Sequence, residues 1–160
     1  MAFEIRRIQP QDNEPLAAII RQALTDFGAN RPGFAWADPE LDRLSEAYQD
    51  PGAIYYAVLQ QQRVVGGAGI APFACEYADL CELQKMYLVQ DQRGQGIGKA
   101  LMAKLLHQAQ EFGYRGCYLE TLHSMHSAIH LYEKSGFCRL EKPLGDSGHT
   151  SCNRFYLHWF

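Results

Sequence analysis

The fold of this chain is decided by the stretch Met86-Tyr87-Leu88-Val89-Gln90-Asp91-Gln92-Arg93-Gly94-Gln95-Gly96-Ile97-Gly98-Lys99-Ala100-Leu101. An apolar strand enters a short loop with glycines at alternate positions, and a helix with apolar side chains at helical spacing follows. The first N–H groups of a helix have no partner within it, and the helix dipole adds partial positive charge at the same end. Glycines allow positive φ and let the backbone approach a bulky anion. The stretch therefore predicts a pyrophosphate site built mainly from backbone N–H groups.

Three kinds of glycine-rich loop bind phosphates in this way. A P-loop requires G-x-x-x-x-G-K-[ST], whereas Lys99 is followed here by Ala100. A Rossmann fingerprint requires G-x-G-x-x-G, and Gly98 comes one residue too early for it. The run Arg93-Gly94-Gln95-Gly96-Ile97-Gly98 instead fits [RQ]-x-x-G-x-[GA]. At these residues the chain resembles the GNAT superfamily of acyl-CoA-dependent N-acyltransferases. A tight strand-to-helix turn whose glycines serve packing alone is the alternative.

Length and composition limit the classes of protein to be considered. The 160 residues suit one domain spanning 1–160, and 47% hydrophobic with 21% charged residues favours a folded globule. A net charge of −3 without a basic run disfavours nucleic acid as partner. No run approaches the roughly 20 apolar residues of a membrane span, and the alternating N-terminus does not resemble an export signal. Five cysteines without a C-x-x-C pair indicate reduced thiols and a cytoplasmic protein. A homodimer is left open.

Hydrophobic spacing predicts an α/β chain with the order β-α-α-β-β-β-α-β-α-β-β. Strands are expected near 3–8, 54–59, 64–70, 78–89, 116–122, 137–141 and 152–159. Helices are expected to begin at Asp12 or Asn13, at Asp38-Pro39-Glu40, at Ile97, and at Ser124 or Ser127. The middle hairpin makes the central sheet mixed, with helices flanking it. This order is also that of the GNAT fold, so the resemblance spans nearly the whole chain.

The resemblance assigns acetyl-CoA as co-substrate. Its pyrophosphate would lie on the loop from Arg93 to Lys99, and its pantetheine arm would pair with the backbone of Met86, Tyr87 and Leu88. In GNAT relatives a bulge lies in this strand, which then separates from its neighbour to admit the cofactor. A bulge changes which side chains share a face. Many relatives also carry an asparagine where this chain has Met125, so Ser124 is the candidate replacement for that contact.

The reaction implied is direct attack of an amine on the thioester, and a protonated amine must first lose its proton to a base. Glu82 is the leading candidate because it precedes the loop among apolar neighbours that would raise its pKa. The alternative is a solvated glutamate or one paired with Lys85. Glu120, in the next strand, is the second candidate. Tyr132 matches the tyrosine of the GNAT pattern A-x-x-L-Y-x-x-x-G-F, which implies that it protonates the departing thiolate; a core tyrosine is the alternative.

Side chains for the amine acceptor are sought in the irregular segments. Phe34 and Trp36 lie where the acceptor would enter, and His149 lies in the loop before the last strand. The alternatives are buried aromatic residues that anchor their loop and a histidine that is merely exposed in its loop. Glu120, His123, His126 and His130 have spacing that also suggests a metal site. We expect no metal, because the CoA-type loop does not require one.

These features predict a single-domain N-acetyltransferase that moves the acetyl group of acetyl-CoA to a small-molecule or peptide amine by general base and general acid catalysis. One alternative is a non-catalytic acyl-CoA-binding sensor, which would keep the loop and tolerate loss of Glu82 and Tyr132. Another is a nucleotide-binding enzyme, which the loop mismatches disfavour. The fold does not choose among acceptors.

Overall fold

The structure, a computed structural model, describes residues 2–77, 79–92 and 94–160. In these ranges the chain follows the predicted order of elements. They are β1 (Glu4–Arg7), α1 (Asn13–Asp26), α2 (Leu44–Ala47), β2 (Ile54–Gln60), β3 (Arg63–Pro72), β4 (Leu80–Leu88), α3 (Ile97–Glu111), β5 (Gly116–Thr121), α4 (His126–Lys134), β6 (Cys138–Leu140) and β7 (Arg154–Trp159). The predicted α/β fold class is confirmed.

The strands form one seven-stranded sheet with the order β1-β2-β3-β4-β5-β7-β6. Neighbouring strands are antiparallel except β4 and β5, which are joined through α3 and run parallel. Such a crossover is how a strand returns to lie parallel beside its predecessor. The sheet is therefore mixed, and its one parallel pair lies near the centre.

Helices cover both faces of the sheet. On one face, α3 buries Ile97, Leu101 and Leu105 in a core that also holds Tyr132 of α4. On the other face, α1 buries an apolar stripe with Ile20 at its centre, packed against Tyr55 and Ala57 of β2. Burial of one such aliphatic side chain contributes about 1.5–3 kcal/mol to folding. Among the described residues no helix has the length and apolar character needed to cross a membrane.

The second helix is shorter than predicted. The run Asp38-Pro39-Glu40 has the residue types of a helix start, yet α2 begins only at Leu44. Residues 38–43 instead form turns, in which Leu41 N–H donates to Asp38 O and Arg43 N–H to Glu40 O. The Asp38 and Glu40 carboxylates form ion pairs with Lys85 of β4, so neither caps a helix. The predicted start at Asp38 is wrong because a tertiary ion pair replaced the local cap.

Candidate active site

A cavity of about 1050 Å³ lies where β4 and β5 separate. The two strands pair only between Leu80–Glu82 and Gly116–Tyr118, although β4 continues to Leu88 and β5 to Thr121. Beyond Glu82 they diverge, and the end of α1, the first turns of α3 and the length of α4 line the space between them. The cavity thus reaches from the loop before α3 to the polar side chains of β4.

A bulge at Lys85 decides which side chains of β4 face this cavity. Lys85 has a φ of 50°, and two residues of β4 oppose one of β3 between the pairs Gly69↔Gln84 and Gly67↔Tyr87. Unbroken alternation would place Met86 on the same face as Glu82. The bulge instead turns Met86 toward the core under α3 and leaves Lys85 and Tyr87 on the face of Glu82. The Tyr55 hydroxyl donates to the Lys85 carbonyl at 2.8 Å and holds the bulge in place.

The loop before α3 presents backbone N–H groups to the other end of the cavity. Gly94 and Gly96 have φ values of 79° and 81°, in the left-handed region that glycine tolerates best. The first helical hydrogen bond runs from Ala100 N–H to Gly96 O at 3.1 Å. The N–H groups of residues 97–99 therefore have no backbone partner among the described residues. A Cβ on Gly94 or Gly96 would meet no atom within 4 Å, so packing does not explain these two glycines.

The predicted cofactor residues divide into three groups. Those that line the cavity are Met86, Tyr87, Leu88, Gly94, Gly96, Gly98 and Lys99. Gln95, Ile97 and Ser124 are not among the lining residues. The Gln95 side chain donates to Asp91 O, and the Ile97 side chain is buried in the core, so neither side chain points along the cavity wall. Arg93 lies outside the described residues.

Glu82 is a buried carboxylate at the end of the cavity opposite the glycine loop. Its side chain accepts a 2.7 Å hydrogen bond from Gln84 Nε2, and the residue is 6% exposed. Burial raises the pKa of Glu82 to about 7, and the nearby Glu120 adds to this, while Gln84, His149 and Lys85 oppose it. The alternative pairing of Glu82 with Lys85 is not present, since Lys85 Nζ contacts Asp38 and Glu40. A carboxylate with this pKa can accept a proton near neutral pH.

Glu120 brings a second carboxylate into the same cavity. It lies two residues beyond Tyr118, which is the parallel partner of Glu82, so both glutamates are on one face of the sheet. Its oxygens accept hydrogen bonds from the hydroxyls of Tyr118 and Ser147. Both donors are neutral, and no cation of the described residues pairs with Glu120. The carboxylate charge is therefore available to a ligand.

Tyr132 lines the cavity from α4. Its ring packs near Phe137 and Tyr156, with centroid distances of 6.2 and 6.4 Å. Burial raises the pKa of Tyr132 well above its ordinary value. In the part of the chain that the structure describes, its hydroxyl has no hydrogen-bond partner. Tyr132 therefore carries a proton at neutral pH that it can donate to a ligand.

A charged cluster centred on Asp38, which the sequence did not predict, lies beside the cavity. Lys85 Nζ lies 2.7 Å from Asp38 Oδ2 and 3.2 Å from Glu40 Oε1, and His149 Nε2 lies 2.9 Å from Asp38 Oδ2. Burial acts to raise the pKa of Asp38, but the hydrogen bond from His149 and the charge of Lys85 outweigh it and lower that pKa. The hydrogen bond to Asp38 raises the pKa of His149. Asp38 thus ties β4 to the loop before β7, and only the helix-cap pattern marked it in the sequence.

The predicted acceptor residues lie in different places. Phe34 and His149 line the cavity, whereas Trp36 packs against the core under α1 and is not a lining residue. Leu24 and Phe27, at the end of α1, also line it, although their helical spacing resembled that of ordinary core residues. The acceptor end therefore combines apolar walls with a charged floor.

One face of α4 adds basic and imidazole side chains near the glycine loop. His126, His130 and Lys134 follow one another at four-residue spacing and line the cavity together with Lys99 of α3. Within the described ranges no group of three or more histidine, cysteine or acidic side chains is placed to hold a metal ion. These side chains are instead placed to meet an anionic ligand.

Residues 17–137 match the sequence model of the Acetyltransferase (GNAT) family. The chain belongs to this family. Its relatives include the Escherichia coli (strain K12) protein named uncharacterized N-acetyltransferase YjgM, which is 43% identical over 149 residues, 92% of this chain and 89% of that protein. Human N-acetyltransferase 8B is 30% identical over 118 residues, 69% of this chain and 52% of the human protein. The predicted GNAT N-acetyltransferase is confirmed by these matches.

Solved structures show the same GNAT fold. A GNAT-family acetyltransferase from Staphylococcus aureus Mu50 superimposes with a TM-score of 0.85 at 24% identity, covering 99% of both chains. A phosphinothricin acetyltransferase from Sinorhizobium meliloti in complex with AcCoA gives 0.78 at 22% identity, covering 100% of this chain and 89% of that one. The PaiA N-acetyltransferase from Thermoplasma acidophilum in complex with coenzyme A gives 0.76 at 16% identity, covering 100% of both.

Proposed function

We propose that this GNAT N-acetyltransferase moves the acetyl group of acetyl-CoA directly to a small-molecule or peptide amine, with Glu82 as general base and Tyr132 as general acid. One observation carries the proposal. A single cavity holds helix N–H groups suited to a pyrophosphate at one end and a buried carboxylate with a pKa of about 7 at the other. The two ends match the two substrates of an acetyl transfer.

Acetyl-CoA would lie along the cavity from the glycine loop to the bulge of β4. Its pyrophosphate would accept hydrogen bonds from the N–H groups between Arg93 and Lys99, and the Lys99 and Lys134 ammonium groups would add positive charge. Its pantetheine arm would run beside Met86, Tyr87 and Leu88. Complexes of two structural relatives with CoA and AcCoA support this cofactor.

Glu82 and Tyr132 would carry out the proton transfers of the reaction. The acceptor amine binds as an ammonium and gives a proton to Glu82, directly or through water. The neutral amine attacks the thioester carbonyl and a C–N bond forms. The attacking nitrogen then loses its second proton to water, the C–S bond breaks, and a neutral amide is left. Glu82 afterwards releases its proton to solvent. The CoA sulfur then takes a proton from Tyr132, whose high pKa keeps it protonated until that moment. Tyr132 is restored from solvent.

The charges at the acceptor end favour a cationic amine. Asp38 is neutralised by Lys85 and His149, whereas Glu120 has neutral hydrogen-bond donors alone among the described residues. Glu120 would hold the ammonium while Glu82 accepts its proton.

The five free cysteines fit a reducing compartment, which supports a cytoplasmic location.

The test is a thermal-shift screen followed by a thiol-release assay. Acetyl-CoA and CoA should raise Tm, because a ligand that binds the native state stabilises it, while ATP and NAD should not. Acceptors matched in length should then be compared: a monoamine, a diamine and an amino acid with a distant carboxylate. We expect CoA release with the cationic amines and little with the amino acid. A rise in Tm with acetyl-CoA but no transfer to any amine would instead identify a sensor.

A further inference from the structure

A chain of hydrogen bonds leads from the protein core to the carboxylate of Glu82. The Tyr48 hydroxyl donates to Gln84 Oε1 at 2.7 Å, and Gln84 Nε2 donates to Glu82 Oε1 at 2.7 Å. Tyr48 is 3% exposed, and its ring lies 5.2 Å from that of Tyr55, the residue that holds the β4 bulge. The side chains of Tyr48, Gln84 and Glu82 thus form one relay of hydrogen bonds.

The relay determines how the Gln84 amide is oriented. A side-chain amide has an acceptor oxygen and a donor nitrogen, so either can face Glu82. Because Tyr48 donates to the oxygen, the nitrogen is turned toward Glu82. In this orientation the amide can donate to an ionised carboxylate. The reverse orientation would place two acceptors against each other unless Glu82 were protonated.

The relay also determines which oxygen of Glu82 is available. Oε1 is occupied by Gln84, while Oε2 has no partner in the described part of the chain. Glu82 lines the cavity, so the unoccupied oxygen is the one that can reach the acceptor. We propose that Gln84, itself oriented by Tyr48, is a positioning residue that holds the Glu82 carboxylate in the geometry for proton transfer. This inference rests on the proposed role of Glu82 as base.

The electrostatic surroundings agree with this role. The titratable groups around Glu82 are Lys85 on β4, Cys117, Tyr118 and Glu120 on β5, Tyr48 after α2, and His149 and Cys152 before β7. Burial and Glu120 raise the pKa of Glu82, and the hydrogen bond from Gln84 is the largest influence that lowers it. Loss of that bond alone should therefore make the base harder to ionise.

The test is the pH dependence of kcat/KM in two variants that leave these charges unchanged. Gln84→Met keeps the length of the side chain and removes its amide, and Tyr48→Phe removes one oxygen. Gln84→Met should move the acidic limb to higher pH by about 1 pH unit, the size expected for one lost hydrogen bond to a charged group. The plateau at high pH should also fall, by about tenfold, because the ionised carboxylate is no longer held in the geometry for proton transfer. Tyr48→Phe should move the limb in the same direction by less.

Tyr114→Phe is the matched control. Tyr114 also loses a short hydroxyl bond, to Gly52 O at 2.6 Å, but it is not among the cavity-lining residues. The acidic limb of the kcat/KM pH profile of Tyr114→Phe should stay at the wild-type pH. A merely structural role for Gln84 would lower the plateau without moving the limb, and that result would overturn the inference.

A second measurement separates this inference from the proposed function. Carboxyl-13C NMR of labelled glutamate, assigned with Glu82→Gln, follows the ionisation of Glu82 without catalysis. If Glu82→Gln keeps the acidic limb, the base assignment fails. If Glu82→Gln loses the limb but neither Gln84→Met nor Tyr48→Phe moves the limb or the NMR midpoint, the positioning inference alone is wrong. Tyr48→Phe carries the test should Gln84→Met fail to fold.

Discussion

Lys85 Nζ lies 2.7 Å from Asp38 Oδ2, and this contact joins the bulge of β4 to the turns that precede α2. The Lys85 side chain is 3% exposed and also reaches Glu40. Because the same Asp38 carboxylate also contacts His149, two contacts to one carboxylate connect three separate segments around the acceptor end of the cavity.

Lys85→Met should therefore destabilise the protein strongly. Removal of the buried cation leaves Asp38 and Glu40 without their shared partner, and we expect a loss of about 2–4 kcal/mol in unfolding free energy, reduced because both carboxylates reach solvent. Urea titration of the variant and the wild type measures this change in unfolding free energy. Arg21→Met is the control, since Arg21 pairs with Asp42 at 2.7 Å on the surface. It should cost less than about 1 kcal/mol. Equal losses would contradict the importance assigned to Lys85.

Gly96→Val should weaken CoA binding at least about tenfold, because the side chain would occupy the space into which the pyrophosphate approaches the loop. Isothermal titration calorimetry with CoA measures the effect. Gly113→Val is a close control: Gly113 has a φ of 91° and, like Gly96, no atom within 4 Å of an added Cβ, but it follows α3 and does not line the cavity. Both variants should lose stability through backbone strain, and only Gly96→Val should lose affinity. Unchanged CoA affinity in folded Gly96→Val would remove the loop from the site.

Tyr132→Phe should lower kcat by about 10- to 100-fold while the Kd for acetyl-CoA stays nearly the same. The reason is that the substitution removes the proton donor and keeps the ring that packs in the core. Single-turnover rates and acetyl-CoA titrations separate the two effects. Tyr156→Phe serves as control, because the Tyr156 hydroxyl bonds to Glu133 at 3.3 Å and Tyr156 is not a lining residue. An unaltered kcat in Tyr132→Phe would exclude Tyr132 as the acid.

Glu82→Gln should lower kcat/KM by about 10²-fold and abolish the acidic limb of the pH profile. In the wild type, Glu82 must be ionised to act, so activity should rise with pH through about 7, the pKa that burial gives it. Glu120→Gln should mainly raise the acceptor KM and keep the limb. If Glu120→Gln alone loses the limb, the roles of the two glutamates are exchanged.

The same Glu82→Gln variant should be more stable than wild type at alkaline pH. The pKa of Glu82 rises from 4.5 to about 7 on folding, so the folded state binds more protons between these values, and wild-type stability falls as pH rises through that window. At about pH 8 the gain should approach 3 kcal/mol, since each pKa unit is worth about 1.4 kcal/mol, and it should vanish near the unfolded pKa. Glu141→Gln, at an exposed position, should change stability by less than about 0.5 kcal/mol. A gain that does not depend on pH would show that Glu82 is not destabilised by burial.

The order of elements and the phosphate-binding loop could be predicted from the sequence because they depend on local properties. Apolar spacing identified α1, α3 and the strands, and the glycines before Ile97 identified a helix start with open N–H groups. These features depend only on a few neighbouring residues, so they can be predicted without knowledge of the tertiary contacts. Glu82 and Glu120 were selected by their strands and Tyr132 by its match to the GNAT pattern A-x-x-L-Y-x-x-x-G-F, and all three line the cavity.

The tertiary structure alone decided the faces and the partners of the site. Met86 changed face because a bulge shifts the alternation of β4, and nothing in a run of strand residues marks where a bulge falls. Asp38 has the sequence signature of a helix cap, yet it pairs with Lys85, which is distant in the chain. Sequence fixes which groups can ionise, whereas burial and charged neighbours set how readily they do so, and both arise only when the sheet and its loops are assembled.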